Sequence, residues 1–360
     1  MRIISCNSPY GSGGIGQHLA FLVEESRDRQ ELAAYYTNGP QVEDAKGRKV
    51  SIPTYGVLKY TPLRFSPSWK SHLINELFDE AVARQLSEPQ ERFMGFAGKS
   101  LRSFRRARTV GFQTLELVVP NSHVNNVYGL HQRAARETGI NDSWLNKAQV
   151  LKTLSEYEEA DLIYTHSDYT EESLTARGIP REKLVRTHLP VADRFTPPVE
   201  RPDDDVFRIA YVGRVDATKG VPLLLQAFAQ ASIPRSTLRI MGGWSTRAMR
   251  KFMEPKRMDD RIHVEPGDPL PVLQQADVFV HPTYEDGFGY APMEALACGV
   301  PVIVTEDTGM KEYVEDGKNG YVIPTGSAEA IVEALHKVHE RPLAATHALI
   351  PRSRASTSSS

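Results

Sequence analysis

The sequence predicts an α/β protein of two Rossmann-like domains, each a parallel sheet with helices on both faces, the sheets facing a central cleft. Three observations lead there. Twice an apolar strand runs into a glycine-containing turn and then a helix: Arg2 to Cys6 before Gly11-Ser12-Gly13-Gly14-Ile15-Gly16, and Phe207 to Val212 before the turn ending at Gly220. Between them, Pro197 to Asp205 is proline-rich and charged with no apolar period, which reads as a linker. The chain has 360 residues, enough for each half to bury its own core. The expected division is a first domain over 1–195, a linker over 196–206, a second domain over 207–338 and a disordered or truncated tail over 339–360.

Composition narrows the function. The formal net charge is −2, so nothing in the total calls for nucleic acid or an anionic surface. There are two cysteines, Cys6 and Cys298, too few and too far apart for a disulfide framework or a metal cluster, which fits a reducing cytoplasm. The sequence shows no signal-peptide pattern and no apolar run long enough to span a bilayer, so any membrane contact is expected to be peripheral.

The helix after the first glycine turn is expected from Gln17 to about Ser26. Gly11, Gly13 and Gly16 match the GxGxxG dinucleotide fingerprint, which expects an acid at the end of the second strand. That strand, Leu32 to Tyr36, ends in Thr37-Asn38-Gly39 instead, so a nicotinamide cofactor is disfavoured. A helix N-terminus behind glycines is a ready anion site all the same, and the alternative is a tight turn with no ligand. A loop and short strand are expected over Pro40 to Pro53, a loop over Tyr60 to Pro67 and a helix over Ser71 to Leu86.

Residues 91–108 read as a helix with Phe93, Phe96, Leu101 and Phe104 on one side and Arg92, Lys99, Arg102, Arg105 and Arg106 on the other. That is a membrane-surface pattern, or a helix packed on the sheet with solvated arginines; Gly95 and Gly98 weaken the helix. A strand over Val110 to Val119 leads into the polar loop Pro120 to Asn126, which carries His123. Leu145 to Ala160 reads as a helix, Asp161 to Ser167 as a strand and turn, and Asp168 to Arg177 as a helix closed by Gly178.

In the second half, Arg214 and Lys219 flank the turn after the strand Phe207 to Val212, and a helix follows from Val221 to Gln230. Leu238 to Gly243 and Arg261 to Gly267 are strands with glycine turns, and Leu270 to Ala276 is a short helix. The strand Ala276 to Val280 then enters a loop, His281-Pro282-Thr283-Tyr284-Glu285-Asp286-Gly287-Phe288-Gly289, followed by a helix from about Ala291 to Ala297 and a strand over Val300 to Val304. The loop sits at a strand's carboxyl end, where open parallel sheets place ligands. Asp286 and Glu294 lie eight residues apart on either side of the helix start. Thr308-Gly309-Met310 heads another helix, and Ser327 to Val338 is the last one expected.

The stretch from His281 to Val304 resembles the signature of retaining glycosyltransferases of the GT4 family (glycosyl transferases group 1), which have the GT-B fold. The family pattern is an acid, seven residues, then Glu, with Gly-Phe-Gly after the first acid and a Cys-Gly-x-Pro-Val tail. It is met by Asp286, Gly287-Phe288-Gly289, Glu294 and Cys298-Gly299-Val300-Pro301-Val302, with Asp where the family usually has Glu. Asp161 to Ser167, Leu189 to Pro197 and Leu238 to Gly243 resemble further family segments, so the resemblance covers about residues 1–338 and is strongest from 206 on.

The resemblance implies transfer of a sugar from a nucleotide-sugar, such as a UDP- or GDP-sugar, to a small-molecule, glycan or lipid acceptor, with retention of anomeric configuration. It implies that Glu294 binds the donor ribose and Asp286 contacts the sugar. Arg214 and Lys219 would grip the diphosphate, a planar fork and a point charge on an anion. The turns at Gly13-Gly14, Gly243, Gly267 and Gly287-Phe288-Gly289 would line the donor, Gly267 near the base. His123 would stand near the sugar carbon under attack, with His131 and then His18 as alternatives. No cofactor and no metal are expected: cations can neutralise the leaving group, and the Asp-rich run Asp203 to Asp205 lies in the linker. Family members that act on lipid acceptors often dock on membranes through the first domain, which gives residues 91–108 their functional reading. Two alternatives stay open, a GT-B nucleotide-sugar epimerase and an inactive nucleotide-binding module.

Overall fold

The computed structural model describes residues 1–39, 45–52 and 60–343. The tail expectation therefore lies outside the described residues except at its start, where helix runs on to Glu340. The chain divides into two compact units: Met1–Tyr128 with Ser143–Leu189, and Gly129–Asp142 with everything from Pro190 on.

In the first unit the described strands are β1 (Arg2–Cys6), β2 (Leu32–Thr37), β3 (Gly47–Lys49), β4 (Arg92–Phe96), β5 (Thr114–Val118), β6 (Leu162–Thr165) and β7 (Leu184–Arg186). They form one parallel sheet in the order β3-β2-β1-β4-β5-β6-β7. The helices are α1 (Gly13–Asp28), α2 (Pro67–Gln85), α3 (Leu101–Val110), α4 (Val124–Thr138), α5 (Lys147–Glu159) and α6 (Asp168–Thr175). Apolar residues fill both faces of the sheet. Phe78, Phe93, Phe104 and Leu115 lie in one cluster, and Ile4, Leu19, Tyr35 and Met94 in the other. The unit boundary falls inside α4, so His123 belongs to the first unit and His131 to the second.

Residues 91–108 are not one helix. Arg92 to Phe96 is strand β4 in the middle of the sheet, and α3 begins only at Leu101. The aromatics read as a lipid-facing stripe, Phe93, Phe96 and Phe104, are fully buried. Strand pairing with β1 and β5 on both sides supplies what a helical reading of this glycine-containing run could not. The arginines are answered within the unit: Arg102 by Glu76 and Glu80, Arg105 by Glu159, Arg108 by Asp161. The strand expected from Val110 starts at Thr114, because Val110 closes α3.

A buried polar network holds α3 in place. Its first backbone N–H groups would otherwise be orphaned. Glu156 on α5 accepts from the amides of Ser100 (2.7 Å), Leu101 (3.0 Å) and Gly98, and Asp79 on α2 accepts from Arg102 and Ser103 (2.9 Å each). Lys152, itself buried, donates to Asp79 at 2.7 Å and to Glu76 at 2.5 Å.

The second unit holds β8 (Phe207–Val212), β9 (Ser236–Met241), β10 (Ile262–Glu265), β11 (Val278–His281), β12 (Val302–Thr305) and β13 (Gly320–Ile323). These are parallel in the order β10-β9-β8-β11-β12-β13. Relative to β8 this is the order 3-2-1-4-5-6 of a doubly wound nucleotide-binding sheet. The helices are α7 (Val221–Ala231), α8 (Arg247–Met253), α9 (Leu270–Gln275), α10 (Tyr290–Ala297) and α11 (Ala328–Glu340), with a 3-10 turn at Gly309–Tyr313 where a helix start was expected. Every residue of β11 and β12 is buried, as expected of strands covered on both faces.

Two loops of this unit are in van der Waals contact at Gly220. It caps α7 with φ 72°, and a Cβ there would stand 1.8 Å from the carbonyl oxygen of Pro282. Any larger residue would have to push the 281–289 loop away.

Three outcomes test this account. Lys152→Met leaves Asp79 and Glu156 buried without their cation and is expected to cost about 3–5 kcal/mol, read as the urea midpoint. Burial raises the Glu156 carboxyl from 4.5 to about 7, against the pull of Lys152. The native state then holds a proton that the unfolded chain has released, so this group's contribution to stability falls as pH rises from about 4.5 to about 7. Glu156→Gln removes that decline, and a wild-type-minus-variant difference flat across the window would contradict it. Gly220→Ala combines a left-handed backbone with a steric clash and is expected to cost about 3 kcal/mol or more, measured by thermal unfolding.

Candidate active site

The candidate site of the second unit lies at the carboxyl ends of β8 and β11. These strands are neighbours in the sheet, paired at Ile209 with Val278 and Ala210 with Phe279. The strand order reverses between them, and ligands of open α/β sheets bind at such a switch point. The loop after β8 carries Arg214 and Lys219, and the loop after β11 carries Asp286.

Backbone and side-chain bonds tie the two loops together. Tyr284 N–H donates to Thr218 O at 2.9 Å, and Thr283 Oγ1 donates to the same oxygen at 3.4 Å. Asp286 N–H donates to Asp307 O at 3.1 Å, and Gly309 N–H donates to Asp286 O at 2.9 Å. With its main chain held on both sides, Asp286 brings Oδ2 to 2.8 Å from Lys219 Nζ and 3.3 Å from His281 Nε2. Lys219 Nζ also donates to Glu285 O at 3.2 Å.

Burial works against the charge of Asp286, yet Lys219 and the hydrogen bond from His281 hold its carboxyl well below the usual carboxylate range. Burial pushes His281 below the ordinary imidazole value, although Asp286 pulls the other way. At neutral pH Asp286 is therefore a carboxylate and His281 a neutral imidazole. The side chains of Lys219 and Asp286 are 19% and 23% exposed, open enough to meet a ligand.

Arg214 is half exposed, and its Nη2 lies 3.1 Å from the buried Asp216 Oδ2. Asp216 Oδ1 accepts from Thr218 Oγ1 and from Lys219 N–H, both at 2.8 Å. One buried carboxylate thus shapes the whole turn that presents both cations. Asp142 adds a second brace: its Oδ2 accepts from Ala217 N–H at 2.9 Å and its Oδ1 from Thr246 Oγ1, the cap of α8. His131 is buried in the same unit, its pKa pushed down to about 3 by burial and then by Arg214.

Glu294 is buried on α10, and Gly287, Phe288 and Gly289 lead directly into that helix. Gly289 has φ 88°, and a Cβ there would lie 2.9 Å from Met310 Cγ, so the Gly-Phe-Gly turn requires its last glycine. Gly243 follows β9 and Gly267 follows β10, both at strand carboxyl ends.

The remaining expected residues lie in the first unit. Gly13 and Gly14 are the first residues of α1. His123 is buried at the start of α4; its Nδ1 accepts from Asn125 N–H at 3.2 Å, which leaves the proton on Nε2. Burial and then Arg177 lower its pKa to about 4, so the ring is neutral. His18 packs edge-on against His166, ring centroids 4.2 Å apart, both held neutral by burial. The end of β2, where a nicotinamide site needs an acid, is occupied by Thr37, whose Oγ1 donates to Ser8 O at 2.6 Å.

Sequence reasoning missed His281, Asp216, Asp142 and Gly220. Asp216 and Gly220 stand within the Arg-x-Asp-x-x-Lys-Gly run and were readable as turn-forming residues. Asp142 lies 75 residues from its partner and gave no local signal.

Among the described residues no group of three or more His, Cys, Asp or Glu is placed to hold a metal ion, and no helix is long and apolar enough to cross a membrane.

Residues 193–355 match the family described as Glycosyl transferases group 1. The chain is similar to the capsular polysaccharide biosynthesis glycosyltransferase CapM of Staphylococcus aureus, 31% identical over 142 residues, 38% of this chain and 37% of that protein. The chain spans about half or less of the length of the curated relatives it matches. Among solved structures it resembles sucrose-phosphate synthase from Thermosynechococcus elongatus, with TM-score 0.74 and 19% identity over 95% of this chain and 90% of that one. It also resembles WaaG, a glycosyltransferase involved in lipopolysaccharide biosynthesis, with TM-score 0.69 and 17% identity over 95% and 91% of the two chains. The fold is that of solved GT-B glycosyltransferases, two parallel-sheet α/β units, and residues 193–355 match the group 1 glycosyltransferase family.

Proposed function

We propose that this chain transfers a sugar from a nucleotide-sugar donor to an acceptor, in the manner of GT4 enzymes, with retention at the anomeric carbon and without a metal ion. The observation that carries the reading is the Lys219–Asp286 pair, with Arg214 on the same turn, at the switch point of a 3-2-1-4-5-6 sheet. It lies inside the stretch that matches the glycosyltransferase family.

The chemistry follows from where charge develops. As the bond from the anomeric carbon to the diphosphate breaks, negative charge accumulates on the diphosphate oxygens. Preorganised cations there stabilise the transition state more than the ground state. Lys219 supplies a point charge and Arg214 a planar fork. Asp216 and Asp142 hold the turn, so little reorganisation is needed when the charge appears. We assign Asp286 to a sugar hydroxyl, Glu294 to the ribose, and the glycine turns at Gly243, Gly267 and 287–289 to the rest of the donor. We assign the first unit, with Gly13, Gly14 and His123, to the acceptor and the reacting carbon.

Retention rests on the resemblance of the Asp286–Glu294 motif, and metal independence on the two cations. The acceptor is a small molecule, a glycan or a lipid; the name of the capsular polysaccharide relative supports a glycan, and that of the D-inositol 3-phosphate glycosyltransferase of Paenarthrobacter aurescens a small molecule. Both cysteines, Cys6 and Cys298, are buried thiols, which supports a reducing, cytoplasmic setting. The epimerase and inactive-module alternatives gain no support from relatives named as glycosyltransferases.

Lys219→Ala is expected to lower nucleoside diphosphate release at least about a hundredfold. Asp286 keeps His281, so the stability cost should stay near about 1–2 kcal/mol. A folded variant with unchanged turnover would remove Lys219 from the mechanism. A thermal-shift panel of UDP, GDP, ADP, their sugar conjugates and NAD tests the donor directly: a ligand at about a hundredfold excess over its dissociation constant adds roughly 2.7 kcal/mol. One nucleoside diphosphate is expected to stand out, and a shift with NAD alone would overturn the reading.

A further inference from the structure

We infer that His281 is a positioning residue for the sugar-contacting carboxylate: its Nε2–H holds Asp286 Oδ2 against Lys219, so that Oδ1 is the oxygen presented to a hydroxyl of the transferred sugar. This rests on the glycosyltransferase reading above and deepens it.

His281 is the last residue of β11, 4% exposed, and its ring stacks on Phe279 at 6.4 Å with an interplanar angle of 22°. Among the described residues its ring has one hydrogen-bond partner, Asp286 Oδ2 at 3.3 Å, while Nδ1 is buried with none. An ionised carboxylate only accepts, so the proton is on Nε2 and Nδ1 is bare. Lys219 converges on the same oxygen at 2.8 Å.

Asp286 is thereby divided. Its main chain is clamped by Asp307 and Gly309, its Oδ2 is held by two donors, and its Oδ1 receives no hydrogen bond from the described residues. A carboxylate anchored by one oxygen presents the other in a fixed direction, which a sugar hydroxyl needs and a diphosphate does not. Lysine alone would anchor it poorly, since a flexible four-carbon ammonium also shares its protons with the leaving group. The imidazole, fixed to the sheet, keeps Asp286 in place when that happens.

The test compares His281→Phe, which keeps the ring and its stacking but has no donor, with His281→Gln, whose amide can restore one. The probes are UDP, GDP and ADP, and UDP-glucose, GDP-mannose and ADP-glucose, with donor hydrolysis followed without acceptor. His281→Phe is expected to bind the preferred nucleoside diphosphate within about twofold of wild type yet lose about twentyfold or more in kcat/KM for its sugar conjugate. His281→Gln should recover most of that loss. A folded His281→Phe protein with wild-type kcat/KM, or one that loses nucleoside diphosphate and sugar conjugate affinity equally, overturns the proposal.

Nitrogen-15 spectra of the imidazoles in the full chain give a readout that needs no substrate. The expected pattern for His281 is a protonated Nε2 and a bare Nδ1, perturbed in Asp286→Asn; the opposite tautomer, or no perturbation, overturns it. Wild-type protein that binds none of the nucleotides would sink the transferase reading, and the ring spectrum would still decide the histidine contact.

Discussion

The candidate site depends on the close approach of two loops at Gly220 and Pro282. The turn after β8 and the loop after β11 come from adjacent strands, but adjacency alone does not align Lys219 with Asp286. A backbone contact with no room for a side chain does, because it fixes the separation of the two loops to the thickness of a peptide. The bonds from Tyr284 N–H and Thr283 Oγ1 to Thr218 O then set the register between them. The Lys219–Asp286 distance of 2.8 Å is a consequence of that register.

This arrangement decides how charge is stored. Buried charges are costly unless paired, and the two units manage them differently. In the first unit Lys152, Asp79 and Glu156 are fully enclosed, and their partners are one another and the N-terminus of α3; they hold structure. In the second, Asp216 is enclosed, but the cations it organises are not: Arg214 is half exposed and Lys219 partly so. A buried anion that braces exposed cations leaves positive charge facing outward at a strand end. That is the condition the proposed chemistry requires for a departing diphosphate.

Legibility in the sequence followed the range of the interactions. From Phe207 on, strands and helices were readable because each parallel strand is a short apolar run followed by a glycine turn, and Arg214, Lys219, Asp286 and Glu294 stand at fixed offsets from those turns. The run 91–108 misled because a central strand and the following amphipathic helix, joined at Gly98, together mimic one amphipathic helix; only the pairing of β4 with β1 and β5, 80 or more residues from β1, distinguishes them. His281 was invisible for a different reason. It ends an apolar strand, where a buried histidine has no periodic signature, and its meaning arises only from the turn that brings Asp286 back over it.

The segment 129–142 extends this reasoning. Its side chains reach the loops of the second unit at four points: Arg133 to Thr325 O, Glu137 to Tyr284 OH, and Asp142 to both Ala217 N–H and Thr246 Oγ1. Two of those partners, Tyr284 and Ala217, belong to the loops that carry Asp286 and Lys219. A chain cut at the linker would keep the whole 3-2-1-4-5-6 sheet and every residue of the donor motif. It would still leave the Ala217 amide without its carboxylate and the Tyr284 hydroxyl without its acceptor, and unpaired buried polar groups of that kind cost about 1–3 kcal/mol each. The candidate site is thus built from two separated stretches of sequence, and the motif that points to it is only the part of it that is contiguous.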